Sequence, residues 1–190
     1  MAPVAGAHEA GYTGPSSSDL EVLMVRYQEG DFGAATALIQ RLSPQLHRFF
    51  AVQFANGGDA DDLLQETWLR IHKVRHTYRA GEPVLPWVYA IARHIRVDQY
   101  RRVSRRSSRE QPLEGTPEVG LPAAGSGGTM DLEALLAPLP ASQREVIEML
   151  KVAGMTLEEV ARATSSSVGS VKQKAHRAYE KLRQWMGGVS

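Results

Sequence analysis

The chain has 190 residues, 43% of them hydrophobic, and a formal net charge of +1, which is enough for one large domain or two small ones with packed cores. It contains no cysteine, so disulfides and thiolate metal sites are excluded, in keeping with a reducing cytosol. The N-terminus lacks a basic start followed by an apolar run, and no segment reaches the roughly 20 apolar residues of a membrane span, so a soluble, cytoplasmic protein is expected.

The near-neutral total hides segregation. From Arg93 to Arg109 there are seven arginines and a single acid, Asp98, whereas Glu110 to Glu133 holds acids only. Local fields, not net charge, decide what a surface attracts.

In chain order, residues 1–18 are Ala, Gly, Pro and Ser with little to bury, and read as a disordered leader. A helix capped by Ser18 or Asp19 carries Leu20, Leu23, Met24 and Tyr27 to a stop at Gly30. Asp31 caps a second helix holding Phe32, Ala35, Leu38, Ile39 and Leu42. Ser43-Pro44 then predicts an end and a restart, Pro at the first helical position being preorganised for it. The next helix carries Leu46, Phe49, Phe50 and Phe54 and stops at Asn56-Gly57-Gly58.

From Asp59 the run DADDLLQETWLRIHKV predicts a helix whose acidic first turn suits the helix dipole. Leu64, Thr67, Trp68, Ile71 and Val74 share one face and are expected in the core. Asp62, Gln65, Glu66 and Leu69 share the other. A leucine among carboxylates fits a contact surface for a basic protein partner, or is simply one exposed leucine among many.

The Thr77–Pro86 segment, with Gly81, Pro83 and Pro86, is a loop feeding a helix from Trp87 to about Arg102. At about 100° per residue, Trp87, Val88, Ile91, Ala92 and Ile95 form an apolar stripe. Tyr89, Arg93, Arg96 and Tyr100 fall on the other side and are expected to face solvent. Rings that stack on bases, beside guanidiniums that hold phosphates, suit unpaired nucleic acid; a basic solvated face is the bland alternative.

Residues 104–130 are rich in Pro, Gly and Ser and read as a flexible linker between a unit at 19–103 and a unit at 131–186. The fold class is thus all-α, in two small helical domains. The second unit is expected to contain a short helix from Asp131 to Ala137 and a longer one from Ser142 to about Val152. Thr156 and Glu159, at capping-box spacing, open a helix to about Ala163. After Thr164–Ser167 comes a last helix with Val171, Ala175, Ala178 and Leu182 buried and Lys172, Gln173, His176 and Arg177 outward. Two helices joined by so short a turn form a helix-turn-helix pattern, whose second helix enters the major groove.

Two blocks carry a family resemblance. DADDLLQETWLRIHK with LPWVYAIARHIRVDQYRR resembles region 2 of the sigma-70 family, and LPASQREVIEMLKVAGMTLEEVA with SVGSVKQKAHRAYEKLR resembles region 4. Their order and the absence of further regions make the chain similar to the extracytoplasmic-function group of bacterial RNA polymerase sigma factors. The resemblance implies a four-helix region 2 and a helix-turn-helix region 4. It further implies that Asp61, Asp62, Gln65, Glu66 and Leu69 meet the β′ clamp helices of core polymerase. The 77–86 loop with Trp87, Tyr89, Arg93, Arg96, Tyr100 and Arg101 would take the melted minus-10 element. Ser170, Lys172, Gln173, His176 and Arg177 would read the minus-35 duplex. The acids of the tether would mimic nucleic acid near the polymerase channel.

Partners implied are the core enzyme, including its β flap, promoter DNA and an anti-sigma factor; the chain itself would be a monomer without cofactors. The run His72–Tyr78 is similar to a subgroup whose anti-sigma factor is membrane-embedded. One departure stands out: Thr164-Ser165-Ser166 replaces the family's apolar-Gly-apolar turn, and a non-glycine residue at a left-handed position costs about 1–2 kcal/mol. Ala175 replaces a larger apolar residue. No H-E-x-x-H or phosphate-loop pattern marks an enzyme, and His47, His72, His76 and His94 read as structural. The alternative function is a sigma-like decoy that sequesters an anti-sigma factor without reading DNA.

Overall fold

A computed structural model describes residues 17–52, 58–110 and 132–187 of the chain. The residues from 1 to 16, Phe54, the Asn56-Gly57 signal and the acidic stretch from 111 to 131 lie outside the described residues. Among those described there are eight α-helices and no strand, so the all-α expectation holds. The N-terminal unit comprises α1 (Ser17–Gln28), α2 (Phe32–Ala51), α3 (Gly58–Val74) and α4 (Val84–Glu110). The C-terminal unit comprises α5 (Leu132–Leu136), α6 (Ala141–Ile147), α7 (Leu157–Thr164) and α8 (Val168–Gly187).

Gly30 ends α1 at φ +95°, a value that costs glycine nothing. Asp31 then caps α2, accepting from the Ala34 amide at 3.0 Å while Arg26 reaches its other oxygen at 2.6 Å. That backbone N–H, with the Arg26 guanidinium, lowers the Asp31 carboxyl below its ordinary range.

The predicted break at Ser43-Pro44 does not occur, because α2 runs unbroken from Phe32 to Ala51 with Pro44 inside it. Proline deprives the Gln40 carbonyl of its N–H partner, but Pro44 and Gln40 are both exposed, so water can reach the freed group. Opposite them Leu38, Leu42, Leu46, Phe49 and Phe50 form one buried stripe, each side chain contributing roughly 1.5–3 kcal/mol by burial. That continuity outweighs the local penalty of about 3 kcal/mol.

The stripe of α3 is turned by about one residue from the expected one. Ala60, Leu63, Thr67 and Ile71 are buried, while Leu64 and Trp68 are only partly so. Trp68 donates its indole N–H to the Ser43 hydroxyl at 3.0 Å, tying α3 to α2. Helix α4 also departs from expectation at both ends, starting at Val84 inside the expected loop and passing residue 103 to reach Glu110. Nothing from Ser104 to Glu110 is Gly or Pro, and arginine is a good helix former.

In the C-terminal unit the helix expected from Ser142 to Val152 is an α-helix only to Ile147, followed by a π-helical turn, Glu148–Val152. Wider i→i+5 spacing, seen where the Ala153 amide bonds the Glu148 carbonyl at 3.1 Å, re-aims side chains. It brings Glu148 and Met149 inward beside Val146 and Ile147. The Thr156–Glu159 capping box forms as its spacing predicts, with the Glu159 carboxylate on the Thr156 amide at 2.7 Å and the Thr156 hydroxyl on the Glu159 amide at 3.2 Å. The two units pack on each other chiefly through α4 and α7.

Candidate polymerase and nucleic-acid interfaces

The outward face of α3 is where the sequence puts it. Asp61, Asp62, Gln65 and Leu69 are exposed and Glu66 is half-buried, with Leu69 at 55% exposure amid the acids. Leu69 is not alone, however. Phe32 and Ile39, expected inside α2, lie outward at 81% and 42% exposure, because Ala34, Leu38 and Leu42 take the buried stripe instead. Together they border a groove of about 370 Å³ between α2 and α3, floored by Tyr27, Trp68 and His72. The signal available in the sequence was a rotation of one residue in the α2 wheel, which a mixed apolar face does not fix.

The connection between α3 and α4 is held from α1. The Gln28 amide donates to the carbonyls of Arg75 at 2.6 Å and Tyr78 at 2.9 Å, a role with no motif to announce it. Tyr27 shares a hydrogen bond of 2.7 Å with His72 Nδ1, and the Arg75 guanidinium lies over the Tyr27 ring at 5.6 Å. Tyr78 is buried edge-on against Trp87, centroids 5.7 Å apart, and donates to the Glu82 carbonyl. Burial, with help from Glu21 and Glu82, pushes its phenol up to about 12.

Helix α4 corrects the expectation of a solvent-facing aromatic and arginine face. Tyr89 is fully buried and Arg96 is 8% exposed. The Tyr89 ring packs edge-on against Phe49 at 5.2 Å, and burial, reinforced by the nearby Glu148 charge, raises its phenol well above the ordinary range. The Arg96 guanidinium sits over the Phe49 ring at 4.8 Å. Its burial lowers the arginine from its usual value, and the Glu145 carboxylate opposes that shift. Arg93 is drawn to the same carboxylate at 3.0 Å.

The physical reason for this departure is that a helical wheel finds shared faces but not their covering. One face of α4 packs on its own unit and the other meets the C-terminal unit. Trp87 is half-buried, Tyr100 is 67% exposed, and Arg101 is exposed beside Asp98 at 3.8 Å. These last two, with Arg102 and Arg105, stay open.

Helix α8 matches its expected pattern. Val171, Ala175, Ala178 and Leu182 are buried, whereas Lys172, Gln173, His176 and Arg177 are exposed and Ser170 is half-buried. The Ser167 hydroxyl accepts from the Ser170 amide at 3.1 Å, capping the helix. In the turn before it, Ser165 takes the left-handed conformation, φ +51°, so the non-glycine strain anticipated there is present. Thr164 and Ser166 share a hydroxyl hydrogen bond of 2.7 Å that braces the turn.

The histidines divide. His72 is bonded to Tyr27 as described and His47 faces Asp61 at 3.4 Å, in line with a structural role, whereas His76 and His94 lie exposed on the surface.

The sigma-70 region 2 family pattern matches residues 38–106, and the sigma-70 region 4 pattern matches residues 129–182. The chain is 31% identical over 169 residues to the ECF RNA polymerase sigma factor SigF of Caulobacter vibrioides, covering 88% of this chain and 93% of that one. It is 32% identical over 170 residues to the RNA polymerase sigma factor CarQ of Myxococcus xanthus, covering 86% and 95%. Its fold is similar to CnrH in complex with the cytosolic domain of CnrY, with a TM-score of 0.67 at 21% identity over 90% of this chain and 98% of that one. It is also similar to the sigma factor RpoE in complex with the anti-sigma factor NepR from Bartonella quintana, with a TM-score of 0.66 at 22% identity over 82% and 98%.

The two helical units, the second containing a helix-turn-helix, coincide with the two sigma-70 family patterns. The chain belongs to the sigma-70 family, as an extracytoplasmic-function RNA polymerase sigma factor. Such factors are not themselves enzymes. No helix of the described residues is long and apolar enough to cross a membrane.

Proposed function

We propose that this sigma factor docks on core polymerase through the α3 face and addresses it to promoters with α4 and α8. The exposed Leu69, flanked by Asp61, Asp62, Gln65 and Glu66, suits the β′ clamp helices, its apolar contact at the centre and acids selecting a basic partner around it. The bare Gln173 and Arg177 suit the minus-35 duplex, since Gln and Arg read base edges in bidentate fashion at about 1–3 kcal/mol each. Ser170, Lys172 and His176 complete that face.

The loop from Tyr78 to Pro83, with Trp87, Tyr100 and Arg101, suits the opened minus-10 strand, where stacking and phosphate contacts offset about 1.4 kcal/mol per unstacked step. An anti-sigma factor, of the kind bound to the similar RpoE of Bartonella quintana, holds the factor inactive in this reading, and the cytoplasm is where it acts.

The observation that carries the reading is the α8 surface: four polar and cationic side chains in the N-terminal half of a helix-turn-helix second helix, all exposed. The test is run-off transcription. Purified chain mixed with core polymerase and genomic fragments should form holoenzyme and yield transcripts from defined start sites. A decoy would capture an anti-sigma factor yet leave core enzyme silent, and that result would overturn the reading.

A further inference from the structure

The face of α4 that the sequence offers to nucleic acid is occupied by the chain itself. Helix α6 presents Glu145, and this single carboxylate receives Arg93 Nε at 3.0 Å and Arg96 Nη2 at 2.7 Å. Glu145 is 5% exposed, so the contact is enclosed. Along the same seam Arg144 donates to the Val52 carbonyl at 2.5 Å, and Arg162 of α7 meets Glu82 at 2.9 Å.

A carboxylate and a phosphate are alike to a guanidinium: both accept its N–H groups as charge-assisted hydrogen bonds. Arg96 is 8% exposed beneath the C-terminal unit, so its guanidinium is out of reach of a phosphate strand for as long as Glu145 covers it. The seam also carries imperfect pairing. The Tyr89 hydroxyl, Arg96 Nη1 and Arg144 Nε are buried without a hydrogen-bond partner among the described residues, and Arg93 Nε and Glu145 Oε1 meet as an ion pair without hydrogen-bond geometry. Buried polar atoms left unpaired weaken a contact, and here they gather where the two units meet.

We propose that Arg93 and Arg96 form one anion-receiving surface with two mutually exclusive occupants: Glu145 of the chain's own α6 when the units are closed, and the phosphates of an opened DNA strand once the C-terminal unit has moved away. The identity of the second occupant rests on the sigma-factor reading; the first is seen directly. The closed chain thus shields part of its strand-capturing face with its own minus-35 unit, and strand binding and closure oppose each other reciprocally. Tyr89, packed on Phe49, is support beneath this surface and not a stacking platform.

The test uses the full chain and its Glu145→Gln variant, with a fluorescein-labelled single-stranded 12-nucleotide DNA as probe. Neutralising Glu145 should enlarge the radius of gyration measured by small-angle X-ray scattering and tighten strand binding, read by anisotropy, on the order of tenfold. Glu158→Gln removes the same charge from an exposed site on α7 and should change neither quantity, which separates release of the seam from a general electrostatic gain. A second arm needs no variant: saturating the wild-type chain with the strand should expand it.

An unchanged radius and affinity in a folded Glu145→Gln chain would overturn the proposal, as would a wild-type chain that binds the strand and stays compact. Holoenzyme formation on the same preparations keeps the two readings apart. A chain that never joins core enzyme refutes the sigma-factor reading. One that joins core but fails either arm refutes only the competition at Arg93 and Arg96.

Discussion

The two helices proposed to meet DNA are presented in opposite ways. In α8 Lys172, Gln173, His176 and Arg177 are exposed. In α4 the corresponding face has Arg96 buried, Arg93 tied to Glu145 and Tyr89 sealed against Phe49. Both faces are equally visible as patterns of residues. The difference is that α8 has neighbours on one side only, α6 and α7, whereas α4 is the helix on which the second unit rests. In the proposed function, recognition by α8 is therefore a property of the helix, while recognition by α4 depends on how the units are arranged.

The largest expected effect lies beneath the covered face. Phe49 touches Phe50, Tyr89 and the Arg96 guanidinium, so Phe49→Ala leaves a cavity under the seam and removes the ring on which Arg96 rests. It should destabilise the N-terminal unit by about 3–5 kcal/mol, measured by urea unfolding. A loss below about 1 kcal/mol would mean that the covering of Arg96 and Tyr89 does not depend on this ring. The α8 surface should be untouched, so minus-35 duplex binding by the fraction that remains folded should be normal.

Next comes the surface that is open whatever the units do. Glu66→Lys combined with Leu69→Ala removes the apolar centre of the α3 face and reverses a neighbouring charge, and should cost about 2.8 kcal/mol, or a hundredfold, in affinity for core polymerase. Circular dichroism should be unchanged, because Leu69 is 55% exposed. Holoenzyme formation at wild-type affinity would remove this face from the interface.

Open and covered helices separate most sharply in DNA binding. Gln173→Ala or Arg177→Ala should weaken binding to a mapped minus-35 duplex by about 1–3 kcal/mol each and leave single-strand binding unaffected. Glu145→Gln should do the reverse, acting on the single strand and not on the duplex. If the α8 variants weakened both probes equally, the division of labour between the helices would fail.

How much of this was legible follows from what each pattern depends on. Local chemistry was readable: the Asp31 cap, the Thr156–Glu159 capping box, the Gly30 stop and the buried stripe of α8 each depend on residues within a few positions of one another. What failed depended on distant partners. Pro44 looked like a boundary because its cost is local and the continuous stripe that outweighs it spans both sides. Phe32 and Ile39 looked like core because nothing in α2 alone says which of two apolar arcs meets α1 and α3. The π turn after Ile147 and the Gln28 clasp on Arg75 and Tyr78 have no compositional mark. Tyr89, Arg93, Arg96 and Tyr100 share one arc of the helical wheel, but the wheel does not show what covers it: Glu145, from a helix some fifty residues away, takes Arg93 and Arg96 while Tyr100 stays exposed.

The smallest expected effect tests whether the open helix owes its placement to the turn before it. Ser165 holds φ +51° and ψ +44° as the cap of α7, a conformation that an L side chain adopts at a cost and glycine adopts freely. Ser165→Gly should therefore stabilise the C-terminal unit by about 1 kcal/mol, less the extra entropy that glycine gives the unfolded chain. The Thr164–Ser166 hydroxyl bond is unaffected by the exchange, since Ser165 enters the hydrogen bonds of the turn through its backbone. A rise in melting temperature with unchanged duplex affinity would show that the strain is borne by stability alone. A rise accompanied by tighter duplex binding would show that the left-handed serine also sets the tilt of α8, and so tunes how its bare face meets the groove.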